Sequence, residues 1–151
     1  RKLNCPNYHP STDSGATIWT PSNVYPSAIL GKGVNVGCFT EIGENVRIGE
    51  GTRIGAMCFI PELVTIGKNC VIGPRVTFTH DKFPPGPREK WLPVVVEDGA
   101  RISVDCTILP GVTIGAGAFI GAASLVTKNV GAGEIWYGHP ARQIGRVGDL
   151  F

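Results

Sequence analysis

Hydrophobic side chains recur along this chain at every sixth position. The series runs without a miss from residue 18 to residue 72 and resumes after one interruption; its members are Ile18, Val24, Leu30, Val36, Ile42, Ile48, Ile54, Ile60, Ile66, Ile72, Phe78, Val96, Ile102, Ile108, Ile114, Ile120 and Val126. A small or β-branched residue stands two positions before each member, as Thr52 and Cys58 do. Two inward residues separated by one outward residue are typical of a short β-strand.

This period predicts an all-β, parallel β-helix. A six-residue period would scatter the aliphatic side chains around an α-helix, so a helix is excluded. Most series members are followed by a glycine, such as Gly49 or Gly55, which we expect to supply the backbone angles of a tight corner. If three hexads form one turn, seventeen hexads form about five to six turns, on the order of 25–30 Å tall. Columns such as Val24, Ile42, Ile60 and Phe78 would then stack inside.

The repeat has one interruption and two irregular ends. The in-phase positions after Phe78 are Pro84 and Lys90, and a segment with three prolines at positions 84, 85 and 87 cannot join a sheet ladder. We therefore expect a loop over about residues 80–93, projecting from a β-helix over residues 18–130. Residues 1–17 are expected to form an N-terminal cap or tail, and residues 131–151 an irregular C-terminal extension.

Composition narrows the classes of partner. Charged residues make up 17% of the chain and the net charge is +2, which argues against a nucleic-acid partner. No apolar run is long enough for a membrane span, and no basic-then-apolar signal opens the chain. We expect a cytoplasmic protein, although the chain begins at Arg1 and a removed leader stays open.

Five cysteines, with no C-x-x-C spacing, disfavour a disulfide scaffold or a zinc knot, so no metal is expected. Cys58, Cys70 and Cys106 fall in the small inward column and are interpreted as core residues. Cys38 points outward in the pattern, and its role is open.

Several hexads resemble those of the hexapeptide-repeat acyltransferases. The residues that carry this resemblance are Ile-Gly-Glu-Gly-Thr-Arg at 48–53, Ile-Gly-Ala-Gly-Ala-Phe at 114–119, and the closing Gly-His-Pro-Ala-Arg at 138–142. The resemblance implies a left-handed coil, whereas parallel crossovers are generally right-handed. It also implies a homotrimer with active sites between subunits, and transfer of an acetyl group from acetyl-CoA to a small acceptor.

Histidine is the usual base for such a transfer, because its pKa lies near neutrality. Of three histidines, His9 lies in the N-terminal tail and His139 in the closing segment, whereas His80 stands where the predicted loop begins. His80 is therefore the candidate general base, with Asp81 beside it as a second catalytic candidate. The stretch 78–84 resembles enzymes that N-acylate amino groups on nucleotide-linked sugars. Many of those enzymes carry Asn at the position of His80, so O-acetylation of a sugar or small molecule remains the alternative.

The resemblance also assigns binding residues. The positions expected to bind acetyl-CoA are Val104, Ala122, Thr127, Lys128 and Arg142, the last through its phosphates. Arg88, Lys90 and Trp91, in the predicted loop, are the candidates for contact with the sugar acceptor.

Two other functions occur on this type of fold. A γ-type carbonic anhydrase needs three histidines around zinc, and the repeat region of this chain holds one. A non-catalytic scaffold needs neither a histidine-bearing loop nor the closing segment. We therefore favour the acyltransferase over both.

Overall fold

The computed structural model describes residues 15–150, so the N-terminal tail, with His9, lies almost entirely outside the described residues. Almost all regular structure is short strand. The strands are β1 Thr17–Ile18, β2 Asn23–Val24, β3 Ile29–Leu30, β4 Asn35–Val36, β5 Glu41–Ile42, β6 Arg47–Ile48, β7 Arg53–Ile54, β8 Phe59–Ile60, β9 Val64–Ile66, β10 Val71–Ile72, β11 Thr77–Phe78, β12 Val94–Val96, β13 Arg101–Ile102, β14 Thr107–Ile108, β15 Thr113–Ile114, β16 Phe119–Ile120, β17 Leu125–Val126, β18 Glu134–Gly138 and β19 Ala141–Arg146. Two 3₁₀ turns span Arg88–Lys90 and Val147–Asp149.

These strands form the three faces of a left-handed parallel β-helix; the repeat predicted the parallel β-helix, and the resemblance implied its hand. The first face contains β1, β4, β7, β10, β13, β16 and β18; the second contains β2, β5, β8, β11, β14 and β17; the third contains β3, β6, β9, β12 and β15. From β1 to β14, each strand pairs in parallel with the strand three places later in the chain, and β16 then pairs with β18. On the first face the parallel stack therefore reaches a seventh strand, β18.

Regular coils are eighteen residues long, since Val24 pairs with Ile42 and Glu41 with Phe59. One coil is longer by twelve residues: Ile66 pairs with Val96, thirty positions away. The additional residues lie between β11 and β12, where the sequence predicted a projecting loop.

The inward columns form one continuous core. The predicted stack of Ile42, Ile60 and Phe78 is fully buried, and Val24 packs on its open N-terminal end half-buried. Cys58, Cys70 and Cys106 are buried in the small column, as predicted, whereas Cys38 is half-buried.

The glycine column serves a different purpose from the one predicted. Gly37 and Gly55 do not adopt the left-handed backbone; a Cβ atom on either would lie 2.5 Å from a backbone nitrogen of the next coil. Left-handed angles occur two residues later, at Gly33, Phe39 and Met57 for example. The glycines are therefore needed for the close approach of successive coils, and the turn itself is made by residues of several types.

The C-terminal segment leaves the hexad pattern yet forms strands. β18 pairs in parallel with β16, and β19 returns antiparallel along β18. The Glu134 carboxylate accepts hydrogen bonds from Trp136 Nε1 and from the Gly131 N–H, both 2.8 Å long. These two bonds hold the pKa of Glu134 below its ordinary value, and the bond from Trp136 has the larger effect.

Candidate active site

Two edges of the prism hold the predicted site residues. We call the edge between the first and second faces the Arg75 edge, because Arg75 lies on it after β10. We call the edge between the second and third faces the His80 edge, because His80 lies on it after β11.

The projecting loop leaves and rejoins the prism at the His80 edge. The Leu92 N–H donates a 2.8 Å hydrogen bond to the carbonyl of His80, which closes the base of the loop. The side chain of Thr79 bonds to the Ile108 carbonyl of the next coil at 2.9 Å. His80 is thus anchored to the rigid scaffold on one side and to the loop on the other.

Asp81 organises the loop. Its carboxylate accepts the N–H of Phe83 at 3.1 Å and the N–H of Gly86 at 2.6 Å. Within the described part of the chain no hydrogen bond joins Asp81 to the imidazole of His80. Asp81 therefore does not orient the His80 ring through a direct hydrogen bond.

The imidazole of His80 packs against Trp91 instead. The two ring centroids lie 4.0 Å apart at an interplanar angle of 72°, an edge-to-face contact. Trp91 is itself held by a 3.2 Å hydrogen bond from its Nε1 to the Gly86 carbonyl. Nδ1 of His80 is buried and has no hydrogen-bond partner among residues 15–150. A buried nitrogen without a partner is energetically costly for the single chain.

A cleft of about 320 Å³ opens in front of this histidine. Its lining combines carboxylates with aromatic rings and consists of Tyr25, Glu41, Gly43, Glu44, Phe59, Pro61, Glu62, His80 and Trp91. The cleft follows the His80 edge and the adjoining second face from the early coils up to the histidine.

The three predicted acceptor contacts in the loop are placed differently from one another. Trp91 lines the cleft. Arg88 bridges its rim, with Nη2 2.5 Å from the Glu62 carboxylate and 3.8 Å from that of Glu44. Lys90 is exposed and does not line the cleft.

The His80 edge also carries two of the predicted donor positions. Glu44, Glu62, His80, Pro110 and Lys128 occupy equivalent corner positions in successive coils, each two residues after the inward residue of a second-face strand. Stacked strands are about 4.8 Å apart, so Lys128 stands about 10 Å beyond His80. Thr127 lies beside it. The cleft and these two residues are therefore on opposite sides of His80 along one edge.

The other predicted donor positions lie elsewhere. Val104 and Ala122 are equivalent residues of consecutive coils on the Arg75 edge, where the Ala123 N–H bonds to the Val104 carbonyl at 2.9 Å. Arg142 is exposed on β19, and its Nη1 donates to the carbonyl of Ala141. A single chain therefore does not bring the five donor positions together.

Sequence reasoning missed the N-terminal half of the cleft. Tyr25, Glu41 and Phe59 lie on the outward side of the second face or its corner, where the hexad pattern sets no residue type. The only signal available was that Glu41 and Phe59 stand eighteen residues apart and are therefore neighbours on one face.

Residues 15–150 form neither a metal-binding cluster nor a membrane-spanning helix. From residue 15 to residue 150, no group of three or more His, Cys, Asp or Glu side chains is arranged to hold a metal ion. Over the same range no helix has the length and apolarity needed to cross a membrane.

Several known proteins are similar to this chain. PerB, the GDP-perosamine N-acetyltransferase of Caulobacter crescentus, solved with CoA and GDP-perosamine, superposes with a TM-score of 0.76 at 27% identity, over 86% of this chain and 57% of PerB. A hexapeptide-repeat acetyltransferase of Vibrio cholerae, complexed with acetyl coenzyme A, superposes with a TM-score of 0.61 at 27% identity, over 88% of this chain and 71% of its own.

A curated relative is the 2,3,4,5-tetrahydropyridine-2,6-dicarboxylate N-acetyltransferase of Staphylococcus aureus. It is 38% identical over 58 residues, which are 38% of this chain and 24% of that enzyme. The chain thus spans about a quarter of the length of this relative.

The sequence profile of the bacterial transferase hexapeptide family, with six repeats, matches residues 14–62 and 93–128. The matched segments cover more than half of the chain, and the projecting loop lies between them. This chain belongs to the bacterial transferase hexapeptide family.

Proposed function

We propose that the protein transfers an acetyl group from acetyl-CoA to an amino group of a sugar. The sugar bound by the relative PerB is linked to a nucleotide, as GDP-perosamine. The observation that carries this proposal is the position of His80, between a ligand-sized cleft and the donor positions Thr127 and Lys128 on the same edge. Similarity to PerB supports an amino-sugar acceptor. O-acetylation of a sugar hydroxyl is the alternative, because an imidazole base serves a hydroxyl equally well.

The residues assigned to the donor fit a thioester with a phosphorylated carrier. Ala122 and Ala123 are exposed and small, so a slender chain can lie against the corner that they form, whereas Tyr137 covers the neighbouring Gly121. Lys128 is exposed and has no ion-pair partner among residues 15–150, which leaves its ammonium for a phosphate. When bound, acetyl-CoA supplies the activated carbonyl carbon and a thiol leaving group.

His80 removes the proton that the reaction releases. The acceptor amine attacks in its neutral form, so an acceptor that binds as an ammonium first loses one proton to solvent. As the nitrogen bonds to the acetyl carbon, the imidazole takes one N–H proton and the carbon–sulfur bond breaks. The CoA thiolate that leaves is then protonated by the imidazolium, which restores the neutral base. The contact with Trp91 fixes the ring plane, and the Leu92–His80 bond fixes its backbone. The Asp81 carboxylate contributes indirectly, by holding the loop that carries Trp91.

Replacing His80 tests the catalytic assignment. His80→Ala should lower kcat by about 10²–10⁴-fold, the range for loss of a general base, measured by thiol release from acetyl-CoA. His139→Ala is the matched control and should keep normal turnover. Full activity of His80→Ala would remove this residue from the mechanism.

We further propose a homotrimer with its active sites between subunits. Val104 and Ala122 lie on the Arg75 edge, and Thr127 and Lys128 lie on the His80 edge, so a donor site that uses all four needs two chains. Closed cyclic assemblies are common among identical subunits.

A cytoplasmic location also remains a prediction.

A further inference from the structure

We infer that the cleft in front of His80 selects acceptors that carry a positively charged amino group, and that Glu41 binds this charge. The inference rests on the proposed function and adds to it the charge of the acceptor and a specificity residue.

The charge of the cleft favours a cation. Three carboxylates line it, those of Glu41, Glu44 and Glu62. Among residues 15–150, the only basic side chain at the rim of the cleft is that of Arg88. The Arg88 guanidinium bonds to Glu62 and approaches Glu44. Glu41 is left with no hydrogen bond or ion pair to its carboxylate within the same part of the chain.

The position of Glu41 leaves its carboxylate available to a ligand in the cleft. The residue lies on the outward side of β5, between Asn23 of β2 and Phe59 of β8 in the same sheet. Its side chain is half-buried. A ligand ammonium would supply both an opposite charge and hydrogen bonds to this carboxylate.

The walls of the cleft suit a ring that carries such a group. Tyr25, Phe59 and Trp91 present aromatic surface on its sides. Aromatic faces bind apolar ring surfaces and attract cations through their quadrupole. The volume of about 320 Å³ is at the small end of the range for small-molecule sites, about 300–1,000 Å³.

The opposite end of the edge has the opposite charge. Lys128 lies beyond His80, on the donor side, whereas Glu44 and Glu62 lie before it. A phosphate is attracted to the first region and repelled from the second. Any phosphate that the acceptor carries must therefore lie outside the cleft, and the amino group enters it.

The test uses glucosamine, galactosamine and mannosamine, with glucose, galactose and mannose as their hydroxyl counterparts. Binding to the full chain is measured by NMR titration, and transfer by thiol release from acetyl-CoA. Glu41→Gln, which keeps the shape and removes the charge, should weaken binding of the amino sugars about 10- to 100-fold. The neutral sugars should be unaffected. Added salt should weaken amino-sugar binding by the unmodified protein and not by the variant.

Glu50→Gln, at an exposed corner outside the cleft, is the matched control and should bind like the unmodified protein. Equal weakening of amino and neutral sugars by Glu41→Gln would overturn the inference, as would failure of the unmodified protein to bind any of the three amino sugars. Charge-dependent binding without thiol release would overturn the proposed transfer and leave the inference standing.

Discussion

Five buried side chains of the small column each donate a hydrogen bond to a carbonyl of the following coil. Thr40 and Thr52 donate to the carbonyls of Gly55 and Gly67 at 3.0 and 2.7 Å. The thiols of Cys58, Cys70 and Cys106 donate in the same way at 3.1–3.2 Å. Burial raises the pKa of all three thiols above the ordinary value, and backbone hydrogen bonds offset only part of that rise.

This environment predicts unreactive thiols. Only the thiolate reacts with iodoacetamide, so Cys58, Cys70 and Cys106 should remain unlabelled in the native protein at a pH near 8.5, where an ordinary thiol is about half ionised. The half-buried Cys38 should react much faster, and all should react in denaturant. Peptide mass spectrometry reads the outcome; native labelling of Cys70 at the rate of Cys38 would contradict it.

The glycines at which successive coils approach each other allow a second prediction for single residues. Gly37→Ala places a methyl group 2.5 Å from the Ala56 nitrogen, so we expect a loss of about 1–3 kcal/mol in the free energy of unfolding. Gly148→Ala meets no atom within 4 Å and is the control. Denaturant titration of both variants checks the difference, and equal stability would show that the coils can separate without cost.

The glycine column also shows what the repeat could and could not predict. The period identified the inward residues, the β-helix and the interruption, because these depend on side-chain polarity along the chain. It assigned the corner angle to the wrong residue. Left-handed angles at Phe39 or Met57 leave no trace in residue type, and the clash at Gly37 appears only when one coil lies on the next.

At the scale of elements, the projecting loop depends on the carboxylate of Asp81. Two loop N–H groups, those of Phe83 and Gly86, bond to it, and Gly86 in turn accepts the Trp91 indole. Trp91 then contacts His80. The two predicted catalytic residues are thus linked through Gly86 and Trp91, and not by a direct hydrogen bond.

Asp81→Ala should therefore loosen the loop more than it changes the base. Hydrogen exchange at the Phe83 and Gly86 amides should speed up, because each loses its acceptor. We expect KM for the acceptor to rise and the pH dependence of kcat to keep its midpoint. A shifted midpoint would instead support direct contact between Asp81 and His80.

At the scale of the whole molecule, the proposed site is divided between two edges. This division predicts complementation in a trimer. Chains carrying His80→Ala and chains carrying Ala122→Trp should each be inactive, and equal mixing after refolding should restore about a quarter of the sites. A particle of about three times the 16.0 kDa chain mass should accompany it in light scattering. No recovery from a mixed trimer would place each site within one chain.

The site was less predictable than the fold for a reason that operates at this scale. His80 and Trp91 were found because they interrupt a regular pattern. Glu41 and Phe59 obey the pattern, and outward positions of a β-helix accept any side chain. Their function depends on the stacking of coils eighteen residues apart and on a loop that folds back over them.

The extended coil has a consequence for how such enzymes diversify. Its twelve extra residues leave and return at one edge, and a single Leu92–His80 bond closes their base, so the strands on either side keep their register. The length and sequence of the loop can therefore vary independently of the β-helix from which it projects. During evolution, related enzymes can therefore acquire different loops, and with them different substrates, while the β-helix stays unchanged.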